Sequence, residues 1–384
     1  AIVNLRASKI REVANAGIGR KDVLTFWFGE PDEVTPQFIR DAASESLARG
    51  ETFYSHNLGL PELRETVANY LSQLHPNPAA PIVADNIAIT SAGVNALSLA
   101  AQCIVNPGDR VVCVTPLWPN LVEIPKILSA NVECVSLQFG ERGWQLDLDR
   151  LLAALTPDTK MLMVNSPNNP TGWTLTRDEQ KAILAKCREH GIWLLADDAY
   201  ERLVFDGTGC APSFFDISDA NDRLVSASTF SKSWLMTGWR LGWLVAPAPF
   251  IEQLGKVIEY NTSCSPVFIQ RAGDAAIKHG DAIIARTQAR FRAARDHLCN
   301  ALNALPRVHA PAPPGAMYAF FKVDGMTDSL AFCKSLVVNQ GLGIAPGAGF
   351  GDEGEGFLRW CFASELPRLD EGVERFKRGL AALR

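Results

Sequence analysis

From residue 86 onward, short and nearly continuous hydrophobic runs alternate with amphipathic stretches. Each run has the length and the bounding turn residues of a strand, which predicts strands at residues 86–90, 110–114, 160–164, 192–196, 223–226 and 242–246. Uninterrupted rather than alternating hydrophobicity is typical of strands that are buried on both faces. The pattern therefore predicts an α/β fold in which a large, mostly parallel sheet lies between helices.

Both ends of the chain show a different pattern. Before residue 86, it predicts a strand at 23–28, a helix that begins at Thr35-Pro36 and a helix from Pro61 to Leu74. A long helix is predicted from Asp281 to Leu305, and prolines at 306, 311, 313 and 314 follow it. Beyond them, strands are predicted at 317–323 and 357–362, and helices at 328–339 and 369–383. We therefore expect a large domain at 47–290 and a smaller α+β domain formed by 1–46 and 291–384.

Several residues with chemical potential lie where the predicted strands end. In open parallel sheets, ligands bind outside the carboxyl ends of the strands. Six such residues follow five of the predicted strands, namely Gly93, Trp118, Asn169, Asp197, Tyr200 and Lys232. Their convergence at one edge of the sheet predicts a binding site there.

Lys232 is the residue around which this site is predicted. A lysine that is partly desolvated beside other cations loses its proton more easily and can form a Schiff base with an aldehyde. Thr229, Ser231 and Arg240 are hydroxyl donors and a forked cation, which are residue types that hold a phosphate. An aldehyde that carries a phosphate suggests pyridoxal phosphate (PLP). If the Ser231-Lys232 pair is considered alone, the simpler interpretation is that Lys232 is a surface lysine that follows a strand.

Other residues near these strand ends have a functional and a structural interpretation. Gly93, in Ser91-Ala92-Gly93-Val94, lies at a strand-to-helix turn. The free N–H groups at the start of that helix suit a phosphate, but the glycine could also be there only because the turn geometry requires it. Trp118 could stack on a planar ring or pack in the core. Asn169 could bond a ring hydroxyl or initiate a turn. Tyr200 could donate to a phenolate oxygen or pack as core.

Asp197 follows five hydrophobic residues, and a carboxylate in that position is costly unless it is paired. Against a pyridine nitrogen it would keep the ring protonated and electron-withdrawing. Asp198 is its competitor, because a shift of one residue along a strand points the side chain to the other face. Arg359, inside the hydrophobic strand Phe357–Phe362, needs an anion, which could be a substrate carboxylate or an internal partner.

Composition excludes several classes of function. The net charge is −5 with no basic run, which argues against a nucleic-acid partner. No apolar stretch is long enough to span a bilayer, and the first 20 residues lack the hydrophobic region of a signal peptide. The nine cysteines and six histidines show no metal-ligand spacing or disulfide pattern. We therefore expect a cytoplasmic protein without a bound metal.

Four motifs occur in order: Asn-Pro-Thr-Gly at 169–172, Asp-x-Ala-Tyr at 197–200, Ser-Lys at 231–232 and Thr-Gly-Trp-Arg-Leu-Gly at 237–242. With them, the chain resembles the class I/II, fold-type I, PLP-dependent aminotransferases from Gly-Glu-Pro-Asp at 29–32 to Arg359. This resemblance implies the fold of that superfamily, with a mostly parallel sheet of the seven-stranded type in the large domain.

The resemblance also implies roles for individual residues. Lys232 matches the Schiff-base lysine that moves the substrate Cα proton, and Asp197 the partner of the pyridine nitrogen. Tyr200 and Asn169 match donors to the ring oxygen, and Trp118 the aromatic residue stacked on the ring. The phosphate site is matched by Ala92, Gly93, Val94, Thr229 and Arg240. Tyr54 matches a tyrosine that reaches the phosphate of the neighbouring subunit, which implies a homodimer with shared active sites. Arg359 matches the residue that binds the substrate α-carboxylate, and Gly29 the loop that closes over it.

The chain departs from the family pattern at three places, and the third bears on the substrate. Val94 replaces a frequent polar residue, so only its N–H can bind phosphate, and Thr229 stands where serine is common. Residues 257–266 contain no arginine or lysine, although some dicarboxylate-specific relatives present an arginine there. This absence weakens an assignment to aspartate, although other aspartate-using relatives solve the problem elsewhere.

The predicted function is a homodimeric PLP-dependent aminotransferase. By a ping-pong mechanism through a Lys232 Schiff base, it would move an amino group from an L-amino acid to a 2-oxo acid, either 2-oxoglutarate or pyruvate. Another PLP reaction on the same fold, such as β-elimination from a cysteine conjugate, is the first alternative. A regulatory module that binds PLP without turnover is the second.

Overall fold

A computed structural model describes Leu5 and residues 7–383. Residues 1–4, 6 and 384, which the predicted small domain includes, lie outside the described residues. The helices of the described part are α1 (Lys9–Ala16), α2 (Gln37–Ala48), α3 (Pro61–Leu74), α4 (Gly93–Ile104), α5 (Pro119–Ile127), α6 (Leu148–Ala154), α7 (Arg177–His190), α8 (Phe230–Ser233), α9 (Ala248–Glu259), α10 (Val267–His279), α11 (Asp281–Asn303), α12 (Ser329–Gln340) and α13 (Leu366–Ala381).

The strands follow the predicted hydrophobic runs and add several shorter pieces. They are β1 (Leu24–Thr25), β2 (Ile87–Thr90), β3 (Arg110–Thr115), β4 (Asn131–Ser136), β5 (Gln138–Gly140), β6 (Gly143–Gln145), β7 (Thr159–Asn165), β8 (Trp193–Asp197), β9 (Leu224–Thr229), β10 (Gly242–Val245), β11 (Val308–His309), β12 (Tyr318–Val323), β13 (Leu342–Gly343), β14 (Ala345–Pro346) and β15 (Phe357–Cys361).

Seven strands form the large sheet in the order β2-β10-β9-β8-β7-β3-β4. All neighbouring strands are parallel except for β10, which is antiparallel to both β2 and β9. Successive side chains of one strand enter different cores: Val111 and Cys113 pack on one face of the sheet, Val112 and Val114 on the other. Because both faces are covered, these strands are hydrophobic at nearly every position, which confirms the predicted mixed α/β fold with its mostly parallel sheet.

A second sheet, in the order β11-β12-β15-β14, is antiparallel and packs with helices from the C-terminal part of the chain. The N-terminal segment joins this region, since β1 pairs with β13 in parallel and α1 packs on α12. Helix α2, which the predicted boundary between residues 46 and 47 divides, packs instead against α10. Residues close to both chain ends therefore lie together in the region of the second sheet.

Two local predictions differ from the structure. The strand expected at 23–28 is limited to β1, and two residues beyond it the carbonyl of Trp27 accepts a hydrogen bond from the Arg359 side chain. Strand β4 was not predicted, because it lies at the sheet edge and several of its side chains are exposed, so it lacks a hydrophobic run. Among the described residues, no helix is long and apolar enough to cross a membrane.

Candidate active site

A pocket of about 950 Å³ opens at the carboxyl ends of the large sheet, between that sheet and the N- and C-terminal segments. Most of the predicted site residues line it: Gly29, Gly93, Val94, Trp118, Asn169, Asp197, Tyr200, Thr229, Lys232, Arg240 and Arg359. Ala92 and Tyr54 are not among the lining residues. The fold therefore brings together side chains that are separated by more than 300 residues along the chain.

Lys232 lies on the short helix α8, which follows β9 directly and turns the side chain into the pocket. Its Nζ donates to the carbonyl oxygen of Gly29 at 2.6 Å and lies 5.7 Å from the centre of the Tyr200 ring. Burial lowers the pKa of Lys232 to about 8, and the positive charges of Arg359 and Arg240 act in the same direction. The amine is therefore partly deprotonated near neutral pH, as a nucleophile or proton carrier requires.

The two neighbouring carboxylates Asp197 and Asp198 point in different directions. Asp197 ends β8, lines the pocket and is 5% exposed, and its Oδ1 accepts a hydrogen bond from the backbone N–H of Ala199 at 3.2 Å. Asp198 does not line the pocket, and its Oδ2 accepts from Ser226 Oγ at 2.5 Å. Burial raises the pKa of Asp197 to about 7, and no ion pair among the described residues includes it. Asp197 is thus a buried acid that forms no ion pair with any described residue, although the positive charge of Lys232 lowers its pKa slightly.

Tyr200 is buried, and its hydroxyl lies 2.7 Å from the hydroxyl of Tyr318, on β12 of the second sheet. Tyr318 also lines the pocket, yet sequence reasoning placed it only in a predicted strand. Because its neighbours in β12 are hydrophobic, the sequence indicates a core residue at this position, and no spacing rule connects it with Tyr200. Burial raises the pKa of both phenols above the usual range, so both hydroxyls are protonated at neutral pH.

Arg359 lies on β15 and is only 3% exposed. Nη1 donates to Asn169 Oδ1 at 2.9 Å, and Nη2 donates to the carbonyl of Trp27. The guanidinium carbon lies 4.4 Å from the centre of the Tyr318 ring and 4.7 Å from that of Phe350, while Nε is buried without a partner. No ion pair of the described residues includes Arg359, so the internal partner considered from the sequence is absent there. The site holds a buried positive charge that an anionic ligand would neutralise.

A second polar region lies where α4 begins. The first N–H groups of a helix have no partner within it, and those of α4 face the pocket at Gly93 and Val94. Ala92 precedes them with φ 144°, a conformation that is strained for alanine. A Cβ atom at Gly242 would lie 2.6 Å from Gly93 N, so only glycine allows β10 to approach this turn. Strand and helix are therefore packed closely enough to hold these N–H groups in place.

Hydroxyl groups and a cation complete this region. Thr229 Oγ1 lies 2.9 Å from Ser231 Oγ and accepts from the Ser231 N–H at 3.1 Å, and both residues line the pocket. Arg240 reaches the pocket from a left-handed turn with φ 55°, and its Nη1 donates to the Thr237 carbonyl at 2.7 Å. The donor set of backbone N–H groups, hydroxyls and one arginine suits a phosphate.

Two more of the predicted residues, Trp118 and Asn169, line the walls of the pocket. Trp118, half-buried, caps the start of α5. Asn169 accepts the hydrogen bond from Arg359, and its own N–H donates to Asn165 Oδ1 at 2.7 Å. Asn165 was missed in the sequence, where it appeared only as the end of a strand, although it lines the pocket and also donates to the Asp197 carbonyl at 3.0 Å. Tyr54 lies outside this wall and is 91% exposed.

Comparison with known proteins gives a consistent result. The family model for aminotransferase class I and II matches residues 21–376. The aspartate aminotransferase of Pyrococcus horikoshii is 30% identical over 99% of this chain and 96% of its own length. Aromatic-amino-acid aminotransferase 2 of Thermococcus litoralis is 31% identical over 97% and 95%. A Thermus thermophilus aspartate aminotransferase mutant superposes with a TM-score of 0.91 at 29% identity, covering 98% of both chains.

Proposed function

Since this chain belongs to the aminotransferase class I and II family, we propose that its pocket transfers the amino group of an L-amino acid to 2-oxoglutarate or pyruvate by a ping-pong mechanism. The chain is a PLP-dependent aminotransferase, and the identity of its two substrates is the part we infer. The observation that carries the proposal is the placement of Lys232, Asp197 and Arg359 around one pocket.

The residues of the pocket fit PLP on three counts. Asp197 is a buried carboxylate that makes no ion pair with any described residue, and a protonated ring nitrogen would supply the missing partner. The N–H groups at Gly93 and Val94, the hydroxyls of Thr229 and Ser231, and Arg240 form a donor set for the phosphate. Lys232 is an amine with a pKa of about 8, suited to bond an aldehyde. When bound, PLP supplies that aldehyde and a ring that withdraws electrons.

We assign separate roles in the reaction to the residues that line the pocket. Lys232 Nζ takes and returns a proton at the substrate Cα, because its lowered pKa lets it act in both directions near neutral pH. Arg359 binds the α-carboxylate and so fixes which bond to Cα faces the ring. With PLP bound, Asp197 would pair with the ring nitrogen, and Tyr200 and Asn169 would donate to the ring oxygen. Trp118 would stack on the ring, and Gly29 would belong to the loop that closes over the substrate.

Transamination is tested by visible absorption of the purified, cofactor-loaded protein, before and after single L-amino acids are added without an acceptor. We expect one or a few amino acids to convert the cofactor band to the pyridoxamine form, because the first half of the reaction needs no 2-oxo acid. Addition of 2-oxoglutarate or pyruvate should restore the band. Release of pyruvate and ammonia from a cysteine conjugate, or a band that no amino acid changes, would instead support elimination chemistry or a regulatory role.

Replacing Arg359 by glutamine is expected to raise KM for the amino-acid substrate and lower kcat/KM by about a hundredfold, because charge-assisted hydrogen bonds to the carboxylate are lost. Steady-state kinetics with the donor found above measure the change. Arg368→Gln is the matched control: this arginine is half-buried, lies over the Phe26 ring at 5.0 Å and does not line the pocket. Equal effects of the two substitutions would contradict the role of Arg359.

We further propose a homodimer with shared active sites. Phe53, Tyr54 and Tyr260 expose 84%, 91% and 92% of their surface, which is unusual for large aromatic residues outside an interface. Tyr54, predicted to reach the phosphate of a partner, does not line its own protomer's pocket, which agrees with that role.

We also propose how the chain divides into domains and where in the cell the protein is located. We propose a large domain at 47–290 and a small one formed by 1–46 and 291–384, supported by the pairing of β1 with β13 and the packing of α1 on α12. We place the protein in the cytoplasm, in keeping with its nine free cysteines.

A further inference from the structure

The hydroxyl groups of Tyr200 and Tyr318 form a buried pair whose members come from the two different sheets. Their oxygens are 2.7 Å apart and their rings meet edge to face at 5.7 Å. Tyr200 follows β8 of the large sheet, whereas Tyr318 begins β12 of the second sheet. Both residues are at most 4% exposed, so water has little access to either ring.

Packing holds Tyr318 tightly in this position. On one side, a Cβ atom at Gly29 would lie 1.8 Å from the Tyr318 hydroxyl, so the loop that accepts the Lys232 hydrogen bond touches this oxygen. On the other side, the guanidinium of Arg359 lies over the Tyr318 ring at 4.4 Å. Tyr318 therefore contacts Tyr200, Arg359 and the Gly29 loop to which Lys232 is hydrogen-bonded.

The geometry allows either hydroxyl of the pair to donate, so the direction depends on where Tyr200 directs its own proton. A phenol has one proton to donate and lone pairs to accept with. If Tyr200 gives its proton to the ring oxygen of the cofactor, the remaining bond must run from the Tyr318 hydroxyl to the Tyr200 oxygen. A donor that itself accepts a hydrogen bond becomes a stronger donor, by roughly 10–30% per bond.

We propose that Tyr318 is a positioning residue for the cofactor: it donates its hydroxyl proton to Tyr200 and thereby directs the Tyr200 proton at the ring oxygen. This inference rests on the proposed role of Tyr200. It gives a role to the hydroxyl at the start of β12, where the next three residues are hydrophobic, and it couples the second sheet to the electronic state of the cofactor.

The test is Tyr318→Phe, measured as the pH midpoint of the visible absorption of the cofactor-loaded protein without substrate. The substitution keeps the ring under Arg359 and removes only the hydroxyl. We expect the midpoint to rise by about half a pH unit, because a weaker Tyr200 donor stabilises the deprotonated ring oxygen less. Tyr200→Phe should raise it further, and adding Tyr318→Phe to Tyr200→Phe should change nothing more, since the Tyr318 effect passes through Tyr200.

The control is Tyr70→Phe, which removes another buried hydroxyl, one that accepts a hydrogen bond from Arg202 at 3.0 Å outside the pocket. Its midpoint should equal that of the unmodified protein. An unchanged midpoint in Tyr318→Phe, or additive shifts in the double variant, would overturn the role of Tyr318 while leaving transamination intact. A protein that shows no visible band with added PLP would overturn the proposed function itself.

Discussion

Replacing Lys232 by alanine is expected to abolish transamination, with a loss of at least about 10⁴-fold in turnover. The side chain is the amine at the centre of the pocket, and burial has already lowered its pKa to about 8. Alanine can neither bond an aldehyde nor carry the Cα proton. Single-turnover measurements with the identified donor, followed by absorption, provide the value.

The fold should survive this substitution, since among the described residues Nζ donates only to the Gly29 carbonyl, and a charged amine is itself costly to bury. Circular dichroism and thermal unfolding check that point. Lys256→Ala, in an exposed lysine of α9 that donates to Gln253 at 2.7 Å, should retain full activity. Transamination that persists in Lys232→Ala would remove this residue from the proposed role.

Asp197→Asn and Asp198→Asn form a matched pair with very different expected results. The first should reduce turnover and the affinity for PLP by about a thousandfold, because a neutral amide leaves the protonated ring nitrogen buried without its counter-charge. The second should change turnover by less than about threefold, because Asp198 faces away from the pocket and bonds Ser226. Both carboxyls have a pKa raised to about 7 by burial, so burial alone does not separate them.

Titration of the cofactor-free protein with PLP, followed by absorption, measures the affinity for PLP. Steady-state kinetics measure turnover. Thermal unfolding of both variants shows whether either substitution acts through stability. A comparable loss in the two variants, or a larger loss in Asp198→Asn, would reject the assignment of Asp197 to the ring nitrogen.

The residues along one strand end illustrate how far sequence reasoning reaches. Five hydrophobic residues followed by Asp197 indicate a buried strand that ends in a carboxylate, because only covered strands are hydrophobic at every position. The same logic located Lys232 after β9, and the order of the motifs placed the chain in its family. Local hydrophobicity and turn chemistry carry this information, and neither depends on distant parts of the chain.

What the tertiary structure decided are contacts between residues that are distant along the chain. The orientation of Asp197 rather than Asp198 into the pocket depends on the register of β8 between its neighbours. The partnership of Tyr200 with Tyr318 joins residues 118 positions apart, and that of Arg359 with Asn169 joins residues 190 apart. Whether Arg359 had an internal anion could be known only from its folded surroundings. Strand ends and candidate residues thus follow from the sequence, whereas the pairings that tune them arise from packing between separate sheets, which no local pattern records.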